Sequence, residues 1–106
     1  MKDKAQKLIE KYEELESELG NPDVLADQAR YNKIHKQYKG IEKAVQKAKE
    51  YLQLVNDLAE YKAALGDPDP EMVAMAKAEI SDIEKKLPGV TDELQILMVP
   101  KDPWEA

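Results

Sequence analysis

The sequence predicts an all-α protein: an antiparallel three-helix, coiled-coil-like bundle with a long central helix. Three observations carry this. Apolar residues recur at alternating spacings of three and four along most of the chain, which keeps one stripe on one side of a helix. The composition is rich in Ala, Glu, Lys and Leu, with no Phe and only four Gly in 106 residues, a balance that favours helix. Five of the six Pro lie outside the periodic segments, where they act as punctuation rather than as defects.

The first helix runs from about Lys4 to Leu19, with Ala5, Leu8, Tyr12, Leu15 and Leu19 as its stripe. Gly20 follows as a C′ residue, and Asn21-Pro22-Asp23 stops the helix and turns the chain. After a short turn at Val24-Leu25, Asp27 is placed to cap a second helix that continues unbroken to Leu65. Its first stripe is Tyr31, Ile34, Tyr38, Ile41, Val45, Ala48, Leu52 and Val55. Near residues 51–55 the phase slips to a second stripe of Tyr51, Leu54, Leu58, Tyr61 and Leu65, so the face offered to neighbours changes along the rod. At ~1.5 Å per residue such a helix approaches ~60 Å and needs partners along its length. Gly40 lies inside it, either as a tolerated surface glycine or as a hinge, at a cost of ~1 kcal/mol relative to Ala.

Gly66-Asp67-Pro68-Asp69-Pro70 is the second breaker. The third segment places Val73, Ala76, Ile80, Ile83, Leu87, Val90, Leu94 and Leu97 on one stripe. Pro88-Gly89 interrupts it without changing its phase, which leaves a kinked continuous helix or two collinear pieces, with Thr91 as a second N-cap in the latter case. Pro100-Lys101-Asp102-Pro103 ends the helix. Residues 1–99 are therefore read as one helical domain, and residues 100–106 as the start of a linker. The first helix covers the N-terminal half of the central one, and the third covers most of its length.

Formal net charge is −6, which argues against wholesale nucleic-acid binding. The charge is uneven, however. Residues 30–49 hold seven cations against Glu42 alone. With Ile34, Tyr38, Ile41 and Val45 inward, Lys36 and Lys43 fall on the outer face, flanked by Lys33, Lys39 and Lys47. This stripe is either a solvated face balancing Glu13, Glu14, Glu16 and Glu18 of the first helix, or a docking surface for RNA phosphates or an acidic protein; strong salt dependence of binding separates the two.

The catalytic inventory is thin. His35 is the one imidazole, and Ser17, Ser81 and Thr91 are the alcohols besides the tyrosines. No nucleophile–base pair can be argued from them, and His35 is placed beside the stripe. Cys is absent, which excludes a disulfide framework and fits a reducing, cytoplasmic setting. Asp67-Pro68-Asp69 lacks the ligand ladder of a calcium loop and reads as a turn and helix start. No metal, cofactor or small-molecule ligand is expected. Tyr31, Tyr38, Tyr51 and Tyr61 fall on stripes, as core or core-edge residues. No apolar run approaches the ~18 residues of a membrane span, and Met1-Lys2-Asp3-Lys4 does not open a signal peptide.

The block Leu94-Gln95-Ile96-Leu97-Met98-Val99-Pro100-Lys101-Asp102-Pro103 resembles the end of the first domain in bacterial class I peptide chain release factors, in the UAA/UAG-reading release factor 1 branch. Leu19-Gly20-Asn21-Pro22, Ala26-Asp27-Gln28-Ala29-Arg30-Tyr31 and Asp67-Pro68-Asp69-Pro70-Glu71-Met72 extend the resemblance over essentially the whole chain. The UGA-reading branch usually lacks the PKDP junction. What the resemblance implies is an N-terminal ribosome-docking domain of a translation termination factor. The full-length protein would recognise UAA and UAG and trigger peptidyl-tRNA hydrolysis. Its partners would be the stalk base of the large ribosomal subunit and the recycling GTPase release factor. The family's GGQ loop and PxT-type codon-reading tripeptide do not occur in this sequence, so the chain is expected to be one domain of a longer factor and to have no hydrolase activity by itself. Pro88-Gly89 departs from members whose third helix has no proline. The competing reading is a stand-alone structural or adaptor bundle similar to a spectrin repeat, although Trp104 lies beyond the last helix rather than in the first. A third reading, an RNA-gripping arm like that of seryl-tRNA synthetases, needs a basic arm where only residues 30–49 are basic. Leu54 and Tyr61 are the residues through which two copies could associate.

Overall fold

The computed structural model describes residues 1–99. The expectations for the Pro100–Pro103 stop, the linker and Trp104 therefore lie outside the described residues. Five helices follow one another: α1 (Lys2–Leu19), α2 (Pro22–Leu25), α3 (Gln28–Gly40), α4 (Glu42–Ala64) and α5 (Pro70–Met98). No strand occurs among the described residues, so the all-α class holds. The chain divides into two compact units, Met1–Lys49 and Glu50–Ala106.

In the first unit, α1, α2 and α3 contact one another. Their shared core is Leu15, Val24 and Ile34, with Leu19, Tyr31, Tyr38 and Ile41 packed around it. The turn expected at Val24-Leu25 is a one-turn helix. Asn21 caps it by accepting a hydrogen bond from the Asp23 N–H at 2.9 Å, and Pro22 occupies the first turn, where a missing N–H costs nothing. The result drives Val24 to zero exposure and leaves Leu25 outside. Asp27 caps α3 as expected, accepting from the Arg30 N–H at 3.1 Å. Gly20 closes α1 in a right-handed conformation, φ −93° and ψ −4°. A left-handed glycine stop is therefore not what ends α1; the Asn21-Pro22 cap is.

The second helix is not unbroken. It divides into α3 and α4 at Ile41, whose backbone leaves helical values at φ −102° and ψ 1°. The Ile41 N–H still donates to the Gln37 carbonyl, at a lengthened 3.3 Å, and the Ile41 carbonyl accepts from Val45 at 2.9 Å. The cause is local. Gly40 is exposed and contributes no side chain to hold the turn, while Ile41 beside it is anchored on the core. A Cβ at Gly40 would meet nothing within 4 Å. Gly40→Ala should therefore stabilise the protein by about 0.5–1 kcal/mol, through helix propensity alone. Thermal unfolding checks this, and an unchanged or lowered Tm would mean that the open backbone at this point is required.

In the second unit, α5 buries Ala76, Ile83, Val90 and Leu94. Tyr51, Leu54, Leu58 and Tyr61 of α4 are half-buried and Leu65 is exposed, so the second stripe fades toward the helix end. The Asp-Pro breaker works through two side chains. Asp67 accepts from the Asp69 N–H at 2.8 Å, and Asp69 caps α5 by accepting from Glu71 at 3.0 Å.

Of the two arrangements open at Pro88, the continuous one occurs: α5 runs through Pro88 and Gly89 without a break. Burial of Ile83 on one side and of Val90 and Leu94 on the other holds both halves in one phase. Thr91 is not an N-cap. Its hydroxyl donates to the Leu87 carbonyl at 2.8 Å, the backward bond typical of an alcohol inside a helix.

Candidate functional site

The cations singled out from the sequence lie on α3 and α4. Lys33, Lys36 and Lys39 belong to α3, and Lys43 and Lys47 to α4. Ile34 and Val45 are buried, and Tyr38 and Ile41 half-buried, on the opposite side. That anchoring turns Lys33, Lys36, Lys39 and Lys43 outward, all four exposed. Lys47 differs: it is half-buried and already engaged within the protein, so it sits at the margin of the stripe.

Of the two readings of the stripe, the structure bears only on close ion pairs with the α1 glutamates, and Lys33, Lys36 and Lys43 form none among the described residues. Lys39 pairs with Glu42 at 3.2 Å, a local contact across the α3–α4 junction. Lys33, Lys36 and Lys43 have no ion-pair partner among the described residues. An exposed pair such as Lys39–Glu42 contributes about 0–1 kcal/mol and is readily exchanged. The face is thus a row of solvated ammonium groups on a rigid backing, able to meet an array of negative oxygens without first breaking strong internal contacts.

Two aromatic contacts lie near this face. His35 is exposed and stacks on Tyr31, with ring centroids 6.0 Å apart; it stands beside the stripe, as expected. Tyr12 of α1 stacks on Tyr38 of α3 at 4.3 Å and an interplanar angle of 14°, pinning the two helices behind the lysines. The hydrogen bond that Tyr12 shares with the Tyr38 hydroxyl, followed by desolvation and the nearby Tyr38, Glu42 and Glu16, pushes the Tyr12 phenol up to about 12 from 10.0. The folded state holds this proton more firmly than the unfolded chain. The associated stability is therefore complete below pH 10 and is lost as pH rises from 10 toward 12. Absorbance at the phenolate band should show one tyrosine titrating late, and Tyr12→Phe should remove that late step. Uniform titration of all the tyrosines would contradict it.

Asp67 and Asp69 are occupied in capping backbone N–H groups, as a turn and helix start requires. Among the described residues, no group of three or more His, Cys, Asp or Glu is placed to hold a metal ion. No helix among the described residues is long and apolar enough to cross a membrane. A feature that the sequence reading did not single out is an open groove of about 380 Å³ beside Pro88, lined by Leu58, Glu84, Leu87, Pro88, Thr91 and Asp92.

Residues 8–106 match the PCRF domain family. A peptide chain release factor 1 from Oleidesulfovibrio alaskensis is 43% identical over 102 residues, which cover 96% of this chain and 29% of the relative. One from Acidobacterium capsulatum is 35% identical over 103 residues, 97% of this chain and 29% of the relative. One from Flavobacterium johnsoniae is 34% identical over 107 residues, all of this chain and 30% of the relative. The chain thus spans less than a third of the length of these relatives. No solved structure matches it.

Proposed function

We propose, from the premise that this chain belongs to the PCRF domain family, that it is the ribosome-docking part of a translation termination factor. The observation that carries this is the join of the family match with an exposed row of lysines on α3 and α4. A domain whose net charge is −6 yet presents a basic face, with Lys33, Lys36 and Lys43 unpaired among the described residues, has a directional electrostatic surface, and ribosomal RNA is the dominant polyanion a termination factor meets.

In this reading Lys33, Lys36, Lys39 and Lys43 contact RNA phosphates, with Lys47 at the edge. The contacts orient the domain and carry no base-specific information. The longer protein recognises UAA and UAG and promotes peptidyl-tRNA hydrolysis, by means that lie outside these residues. The docking place is the stalk base of the large subunit, where the domain also influences the recycling GTPase release factor.

Cosedimentation of the chain with purified ribosomes tests the reading. Binding at low ionic strength that weakens steeply with added salt is expected, because neutralised phosphates release counterions. No binding at low salt, or binding indifferent to salt, would overturn it.

A further inference from the structure

The groove beside Pro88 belongs wholly to the second unit, and no lysine of the stripe is among its lining residues. Its floor is apolar: Leu58 from α4 and Leu87 from α5, both half-buried, with the Pro88 ring at the rim. Its α5 wall carries a carboxylate at each end, Glu84 and Asp92, both exposed. These are eight residues apart, on one helix face and separated by about 12 Å at 1.5 Å per residue. Neither has an ion-pair partner among the described residues. Lys85 precedes Asp92 by seven residues, two turns on the same side of α5, but neither Lys85 nor Lys86 lines the groove and neither forms an ion pair with Glu84 or Asp92 among the described residues.

The backbone adds a further acceptor. Pro88 has no N–H, so the Glu84 carbonyl lacks the donor that a helix normally supplies four residues on. The surroundings reinforce the sign of the charge. Residues 50–99 hold eleven carboxylates against four lysines, the reverse of the balance on α3. A slot of this kind rejects anionic partners such as RNA, and it complements an aliphatic side chain flanked by cations.

We infer that the Leu58–Pro88 groove is a docking site for a cationic segment of a basic protein, seating an aliphatic side chain on Leu58, Leu87 and Pro88 while Lys or Arg groups pair with Glu84 and Asp92. The inference rests on the groove and its charge and not on the RNA-docking role of α3 and α4, so either can fail alone.

The test uses the full chain and a short amphipathic peptide of Leu and Lys, with a Leu and Glu peptide of equal length as its counterpart, followed by residue-resolved NMR. The cationic peptide is expected to shift the signals of Leu58, Leu87 and Thr91 in a saturable, salt-sensitive way, and the anionic one to leave them unmoved. Glu84→Gln combined with Asp92→Asn should weaken binding by about tenfold or more, equivalent to at least one lost charge contact. Glu60→Gln combined with Asp82→Asn, which removes the same charge from the same unit outside the groove, should change it less than about twofold. Equal losses in the two double variants would reduce the effect to general attraction and overturn the proposal. So would shifts that map elsewhere, equal binding of the anionic peptide, or concentration-dependent shifts of the same residues without peptide, which would make the groove an interface between copies.

Discussion

Replacing Leu94 by alanine should lower stability by about 2–5 kcal/mol, the cost of deleting a fully enclosed leucine and leaving a space that neighbours only partly fill. Leu94 has zero exposure and is one of the largest fully buried side chains in the protein. It lies one helical turn after Val90, on the half of α5 that follows Pro88, and so helps hold the helix in phase where its hydrogen-bond ladder has a gap. For a protein with ~5–15 kcal/mol of total stability, the loss is a large fraction, and the transition midpoint should fall by about 8 °C or more, at about 4–8 °C per kcal/mol. Leu97, one turn further and 40% exposed, is the internal control: Leu97→Ala should cost under about 1 kcal/mol. Denaturant unfolding followed by helical circular dichroism measures both. Comparable losses at the two positions would contradict the burial described for α5.

Reversing Lys33, Lys36 and Lys43 to glutamate should reduce ribosome affinity by at least about tenfold at low salt. It should also flatten the slope of log affinity against log salt by roughly 2–3, since each lost phosphate contact removes about 0.7–0.9 from it. All three are exposed and unpaired among the described residues, so helix content and melting should hardly change. Reversing Lys77, Lys85 and Lys86, equally exposed but in the second unit, alters net charge by the same amount and should leave the slope in place. If the two triple variants behave alike, the stripe is only solvated surface.

Most of the core was legible because helical periodicity and burial report the same physics. Ala5 and Leu15 on α1, Ile34, Val45 and Ala48 on the central stripe, and Ala76, Ile83, Val90 and Leu94 on α5 are all buried, and each was placed on a stripe by spacing alone. Other features were not legible. Val24 reads from sequence as part of a turn, yet it reaches zero exposure, because the Asn21 cap and Pro22 wind four residues into a helix that seats it between neighbours. The break at Ile41 leaves no trace in the pattern, since the apolar phase runs straight across it; only Gly40, with open space around it, marks the spot. The groove at Pro88 required knowing that Leu58, some thirty positions earlier, lies beside it, a relation that local spacing cannot encode. The lysine stripe was visible as composition, but which of its members stands apart was not: Lys47 is half-buried because it follows the turn that carries Ala44 and Val45 into the interior.

The corner made by α1, α2 and α3 has a kinetic consequence. Leu15, Val24 and Ile34 meet within a stretch of twenty residues, so little entropy is lost in bringing them together. Topologies dominated by such near-neighbour pairings cross their barriers quickly. As a nascent chain emerges from its N-terminus onward at ~5–20 residues per second, Met1–Lys49 can reach its final arrangement before α5 has been synthesised, and the rest of the polypeptide then assembles beside a finished nucleus.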